Sequence, residues 1–270
     1  MTTTTPQPTP AAPSRSGVHR VALVRPPVAR LAEGELTHLE RVPVDVDLAL
    51  TQWRGYVAAL GREGFTTIEV QRADDHPDSV FIEDTVVVLG QTAVVASPGA
   101  ESRRGEPLEV ESVLTQLGLD IRPIELPGTL DGGDVLKIGT TVYIGRGGRT
   151  NAEGIRQFRV IASGLGYSVV TVPISKVLHL KSAVTALPDG TVIGFDGTVE
   201  HRELFPRYLP VPEEKGVAVV VLAPDAVLMS SDAPQTAALI EDLGYRVVTV
   251  DISEFEKLEG CVTCLSVRIR

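Results

Sequence analysis

Residues 165–175 read LGYSVVTVPIS, and the same phrase returns at residues 243–253 as LGYRVVTVDIS, identical at nine of eleven positions. The Val- and Thr-rich part has the β-branched content of a strand. The Leu-Gly before it closes an apolar helical run in both copies, as glycine commonly does. A helix-to-strand unit is therefore used more than once. Weaker echoes, LGREGFTTIEV at 60–70 and LGLDIRPIEL at 117–126, bring the visible copies to four. Their spacing, about 45 to 80 residues, predicts a closed ring of repeats in one domain.

Working outward, short β-branched runs fill the rest of the chain, among them HRVALVRP, VFIEDTVVVLG, TAVVASP, GDVLKIG, TVYIG, TVIGF, VAVVVLAP and the terminal LSVRIR. NAEGIRQFRVIASGLG and APQTAALIEDLG read as helices, each with Asn or Asp near its start and Gly at its end. The class is α/β or α+β. Composition is steady from Val18 to Arg270, which predicts one domain. Residues 1–17, rich in Thr and Pro, have too few large apolar side chains to repay ordering and read as a disordered tail.

Composition excludes several function classes. A net charge of −10 and the lack of a Lys/Arg stripe argue against nucleic acid, and suit a small cationic ligand instead. No apolar run reaches the roughly 20 residues needed to cross a bilayer, and the N-terminus lacks a secretory pattern. Two cysteines provide no disulfide framework. A cytoplasmic protein is expected.

Both cysteines, Cys261 and Cys264, lie in the final EGCVTCLSVRIR. A structural zinc site needs two further ligands, and the five histidines lack the spacing to supply them. A thioredoxin-type pair needs a helix N-terminus, whereas these cysteines lead into a strand-like alternation. In a regular strand residues three apart face opposite ways, so one cysteine would face a site and the other something else. Burial of both as small hydrophobes is the plain alternative. The repeat adds a coincidence: KVLHLKS, with His179, follows the first copy, and the cysteines follow the second. Strands equivalent in neighbouring repeats would present a His and a Cys to one place.

Two acidic motifs add to this. LDGGDV sets Asp131 and Asp134 about two glycines, which reads either as a tight turn or as a carboxylate poised to orient a histidine. In PDSVFIEDT, Glu83 and Asp84 interrupt an apolar strand with Asp78 and Phe81 just before, so a cationic partner is required, either an internal Arg or a cationic substrate. Arg103 and Arg149, in the loops PGAESRRGE and GRGGRTNAEG, are suited to a carboxylate. A ligand cationic at one end and carboxylate-bearing at the other satisfies all these groups.

PDSVFIEDT, PGAESRRGE, LDGGDV, RTNAEG, VLHLKS and CVTCLSVRI together resemble, in this order, the dimethylarginine dimethylaminohydrolases of the pentein superfamily. The resemblance implies a pentein propeller of five ββαβ-type units about a pseudo-fivefold axis, hydrolysis of methylated L-arginines to L-citrulline and a methylamine, no cofactor or metal, and a monomer or homodimer. It implies Cys264 as nucleophile, His179 as acid/base and Asp131 as the residue that orients it. Asp84 and Glu83 would hold the guanidinium, Asp78 the amino-acid end, and Arg103 and Arg149 the carboxylate. Phe81 and Leu258 would line the pocket, and Leu36 would belong to a lid. Arginine deimination or amidino transfer on the same framework, or a non-catalytic binding role, are the alternatives. Cys261 is left open, as packing or as a thiol that oxidises with Cys264.

Overall fold

The computed structural model describes residues 20–270; the N-terminal segment read as a tail lies outside the described residues. In chain order the elements are β1 (Val21–Val24), α1 (Val46–Arg62), β2 (Thr66–Glu69), β3 (Val86–Leu89), β4 (Thr92–Val95), α2 (Pro107–Gln116), β5 (Asp120–Pro123), β6 (Val135–Ile138), β7 (Thr141–Arg146), α3 (Ala152–Gly164), β8 (Ser168–Pro173), β9 (Val184–Ala186), β10 (Val192–Gly194), β11 (Tyr208–Pro210), β12 (Val219–Ala223), β13 (Ala226–Ser230), α4 (Pro234–Asp242), β14 (Arg246–Val250), α5 (Ser253–Glu256) and β15 (Val267–Ile269). The strands form five three-stranded sheets with one grammar: the first strand pairs antiparallel with the second, and the second parallel with the third. Four sheets are consecutive in sequence, from β3-β4-β5 to β12-β13-β14. The fifth is built from both ends of the described chain, β15 antiparallel to β1 and β1 parallel to β2.

A parallel second-to-third pairing needs a crossover, and in four units an α-helix supplies it. Asp45 caps α1 by accepting from the Leu48 N–H, and Asn151 caps α3 by accepting from the Gly154 N–H. Ala49, Trp53, Tyr56, Ala59 and Leu60 bury one face of α1; Ile155, Phe158 and Ala162 do so for α3. The repeated phrase is the exit from this crossover: Gly166 (φ 85°) and Gly244 (φ 93°) take the left-handed conformation that turns the helix into the third strand. In the unit of β9, β10 and β11 the connection is a 3-10 turn, Arg202–Leu204, instead of an α-helix. Four echoes but five sheets follow from that difference.

Neighbouring units pack through their first strands, β15 against β3, β6 against β9 and β9 against β12, while α1 reaches β14 and α5 to complete the ring. Two sequence expectations are corrected. The β8 and β14 units are not neighbours, because the helix-less unit stands between them. Residues 80–90 are not a continuous strand: Ile82–Thr85 is a 3-10 turn and only then does β3 begin. β11 escaped notice because Tyr208–Pro210 is short and proline-ended, tolerable only in an edge strand.

Candidate active site

Each first strand is entered through a tight turn, and these turns carry the site. The turn at 82–85 precedes β3, that at 132–134 precedes β6, Leu180–Ser182 precedes β9, and a turn at 262–265 precedes β15. They bring Asp84, Asp131, His179 and Cys264 to the centre of the ring from four different units. The corresponding turn Glu214–Val217, before β12, adds none to the pocket. A narrow cavity is lined there by Asp78, Phe81, Asp84, Arg103, Arg149, His179, Leu258 and Cys264 of the expected residues. Asp131 lies just behind His179.

His179 is buried, and its Nε2 lies 2.9 Å from Asp131 Oδ2, while Nδ1 faces Asp84 Oδ1 at 3.7 Å. Asp131 is itself fixed by the Gly99 N–H, 2.9 Å from its Oδ1. Burial works against a charged imidazole, but the Asp84 carboxylate, the Asp131 hydrogen bond and the Asp134 carboxylate outweigh it and raise the pKa of His179 to about 9. The reciprocal holds for Asp84. Burial opposes its ionisation, yet His179 and Arg103 lower its pKa to about 2. Asp131, Asp84 and His179 also sit close enough together to offer a metal three ligand atoms. Their mutual hydrogen bond and opposite charges already satisfy them as an acid/base pair.

The Asp-Gly-Gly-Asp stretch is explained by close approach, not by positive φ, because neither Gly132 nor Gly133 is left-handed. A Cβ on Gly132 would lie 2.0 Å from the Glu83 carbonyl oxygen; one on Gly133 would lie 2.6 Å from His179 Nδ1 and 2.7 Å from Asp84 Oδ1. The Gly133 N–H donates to Asp84 Oδ1. Asp134, which sequence reasoning noticed but gave no role, accepts from the Leu180 N–H at 2.9 Å and from the Thr150 hydroxyl at 2.6 Å. It pins the turn that carries His179, and burial pushes its own pKa up to about 6.

Three expectations need correction. Glu83 does not reach the pocket: consecutive residues of a tight turn diverge, and its carboxylate pairs with Lys181 (2.6 Å) and Arg268 (3.0 Å) beside a separate cavity. Arg103 lines the pocket, but its guanidinium is drawn to Asp84 (2.7 Å), Glu106 (2.8 Å) and the carbonyls of Asp78 and Phe81, which makes it the internal counter-ion to the buried acids. Leu36 packs against the largest apolar core, while its neighbour Glu35 lines the pocket. Glu35 pairs with Arg149 at 2.9 Å and donates its N–H to Asp78 Oδ2 at 3.0 Å. The loop is held further by Glu259, the one non-glycine residue with positive φ (60°) among those described, whose carboxylate accepts from the N–H groups of Thr37, His38 and Leu39. No spacing in the sequence announced Glu35 or Glu259, since their partners are distant in the chain, whereas Glu106 stands only three residues from its partner Arg103.

The two cysteines do not alternate along a strand. β15 starts only at Val267; Cys261 and Cys264 stand in a turn closed by the Cys264 N–H donating to the Cys261 carbonyl, and their sulfurs are 3.3 Å apart. Cys264 faces the pocket, and Cys261 a second cavity. The hydrogen bond with Cys261, burial and the nearby Glu83 and Asp84 carboxylates push the Cys264 thiol up.

Comparison with known proteins gives this geometry a family. No family model matches the chain. It is 61% identical to the N(G),N(G)-dimethylarginine dimethylaminohydrolase of Streptomyces coelicolor over 249 residues, covering 92% of this chain and 96% of that protein. Among solved structures, the Pseudomonas aeruginosa dimethylarginine dimethylaminohydrolase with citrulline bound is 33% identical, superposes with a TM-score of 0.85, and covers 94% of this chain and 100% of its own. A dimethylarginine dimethylaminohydrolase adduct with S-methyl-L-thiocitrulline is 34% identical, with a TM-score of 0.86 over 93% and 100% of the two chains. With the ring of five sheets and the Cys, His and carboxylates at its centre, this likeness extends over nearly the whole described molecule, and the chain belongs to the dimethylarginine dimethylaminohydrolase family of pentein propellers.

Proposed function

We infer that the protein hydrolyses Nω-methylated L-arginines to L-citrulline and a methylamine through a covalent intermediate on Cys264. The observation that carries this is the convergence of Cys264, His179 and Asp84 on one pocket whose other end holds Asp78 and Arg149. A guanidinium is resonance-stabilised and weakly electrophilic, so its plane must be fixed before attack. Asp84, ionised between Arg103 and Gly133, is the acceptor for that cation. Arg149 receives the substrate carboxylate, and Phe81 and Leu258 pack along the chain between.

With the thiol of Cys264 pushed up by its hydrogen bond with Cys261, burial and the neighbouring carboxylates, arrival of a cation is what favours its thiolate. The sulfur attacks the guanidinium carbon. His179, already an imidazolium at neutral pH, gives its proton to the departing amine, leaving a thiouronium on Cys264. The neutral imidazole then takes a proton from water, which attacks the same carbon and releases citrulline and the thiol. Asp131 holds the ring through both steps.

We read residues 18–270 as one catalytic domain, acting as a monomer or homodimer without cofactor. No helix among the described residues is long and apolar enough to cross a membrane. Two free thiols suit the reducing cytoplasm. The test is citrulline release from dimethylarginine, monomethylarginine and arginine. Citrulline from the methylated substrates and loss of at least about a thousandfold in Cys264→Ser is expected; preference for plain arginine would make it a deiminase, and no turnover of any of the three would refute the reading.

A further inference from the structure

One proton of the reaction has no acceptor among the groups already given a role. Cys264 is a thiol in the free protein, and its sulfur must attack as a thiolate. His179 already holds its proton, and Asp84, with a pKa of about 2, is too weak a base to take one. Glu83 turns away to Lys181 and Arg268, and Asp78 stands with Arg149 at the other end of the pocket. The sulfur of Cys264 has a single side-chain hydrogen-bond partner among the described residues, the sulfur of Cys261 at 3.3 Å.

Cys261 is placed to carry the charge that Cys264 lacks. The Cys264 S–H donates to its sulfur, and so do the hydroxyl of Thr263, 3.3 Å away, and the Thr263 N–H; against burial and the Glu83 carboxylate they bring its pKa down to about 7. Arg268 on β15 and Tyr56 on α1 are the other titratable groups that feel its charge. Around the second cavity, His38, Lys176 and Lys215 are set against Glu214, Glu256 and Glu259, so neither sign prevails there. His38, Lys176 and Lys215 are exposed at its rim, and the cavity leads from Cys261 to solvent.

We propose that Cys261 is a catalytic residue, the base that takes the proton of Cys264 when the substrate binds. The proposal rests on the hydrolase reading. Before binding, the proton is on Cys264 and the negative charge on Cys261. A guanidinium in the pocket meets Cys264 first, with Cys261 behind it, and so favours charge on the nearer sulfur. The S–H bond of Cys264 breaks, the proton crosses to Cys261, and the electron pair left behind forms the bond to the guanidinium carbon. His179 protonates the departing amine as before. As citrulline leaves, Cys264 takes its thiol proton from the collapsing adduct, and Cys261 loses its own to solvent through the second cavity. That proton equals the one the free amine binds in water. A cation enters, a cation leaves, and both cysteines are restored.

The experiment follows citrulline release from dimethylarginine against pH in the wild type, Cys261→Ser and Cys261→Ala, beside the thiolate ultraviolet absorbance of the free proteins. The acidic limb of kcat/KM in the wild type should have its midpoint near 7. Both substitutions should lower kcat/KM at neutral pH about a hundredfold and move the limb up by at least about one unit, with most of the loss recovered towards about pH 10, where hydroxide takes the proton. That recovery also shows that the variants are folded. Serine keeps the size and a hydroxyl, so a packing role would leave Cys261→Ser close to wild type. The thiolate absorbance should titrate near 7 in the wild type and in Cys264→Ser, and not in the Cys261 variants. Unchanged kcat/KM at neutral pH in either variant, an equal loss at every pH, or a thiolate titration near 7 that persists in Cys261→Ala would overturn the proposal while leaving the hydrolase reading in place. A wild type that releases no citrulline at any pH would refute that reading and the proposal with it.

Discussion

His179 shows how far a tertiary environment moves a side chain whose identity is plain in the sequence. An isolated histidine titrates near 6.5 and is mostly neutral in the cell; here burial loses to Asp84, Asp131 and Asp134, and the pKa rises to about 9. The sign of the consequence follows from linkage. A group whose pKa is higher in the folded state binds its proton more tightly there. Its stabilising contribution is complete below about pH 6.5 and disappears as pH rises through about 9. A carbon-detected NMR titration of the free enzyme should place the His179 midpoint near 9. The stability advantage of the wild type over His179→Asn, from urea unfolding, should shrink by an amount on the order of 3 kcal/mol between pH 6 and pH 10. A midpoint near the ordinary histidine value would break the electrostatic account of the general acid.

The tight turns entering the first strands are the elements on which the site is hung. Each has a short, almost rigid backbone, so it fixes where a side chain starts far better than a long loop would. Their mutual approach depends on residues without a Cβ. Gly133→Ala would thrust a methyl between His179 Nδ1 and Asp84 Oδ1, neither of which can retreat because each is hydrogen-bonded on its far side. A loss of about 1–3 kcal/mol in stability is expected, with kcat/KM falling by at least about a hundredfold as the ion pair is displaced. Denaturant midpoints together with steady-state kinetics check both. Wild-type kinetics in the alanine variant would mean that the Gly-Gly pair serves only the chain turn.

At the scale of the whole molecule the ring has one unit assembled from both chain ends. In the other units a short turn joins the first and second strands; Leu89 and Thr92, for example, face each other across one. The same turn is missing between β15 and β1, where Ile269 lies opposite Val21. A permutant that joins Arg270 to Arg20 through a short glycine linker, omits residues 1–19 and opens the chain between the exposed Pro224 and Asp225 should fold and keep activity within about tenfold. Removing residues 267–270 takes away β15 and the Arg268 partner of buried Glu83, and should abolish cooperative unfolding along with activity. Far-UV circular dichroism melts and citrulline release test both chains, and an inactive but folded permutant would show that the terminal break matters to the site.

The sequence by itself determined the repeat and the mixed class, because a reused helix-to-strand exit leaves local marks, and it offered Cys264, His179, Asp131, Asp84, Asp78 and Arg149 as candidates through charged residues inside apolar runs together with the family resemblance. It also left the count of units open, since the fourth has a 3-10 turn where the others have a helix. Only the tertiary structure decided which way those residues face. Glu83 and Asp84 are adjacent in the chain yet belong to different cavities, Arg103 spends its donors on Asp84 and Glu106, and the two cysteine sulfurs meet across a turn that the alternating pattern had read as strand. The physical reason is the same in each case. Direction in a tight turn changes with every residue, and which charge a buried group meets depends on how the loops fold back, within one unit for Arg103 and between units for Glu83. Local sequence records neither.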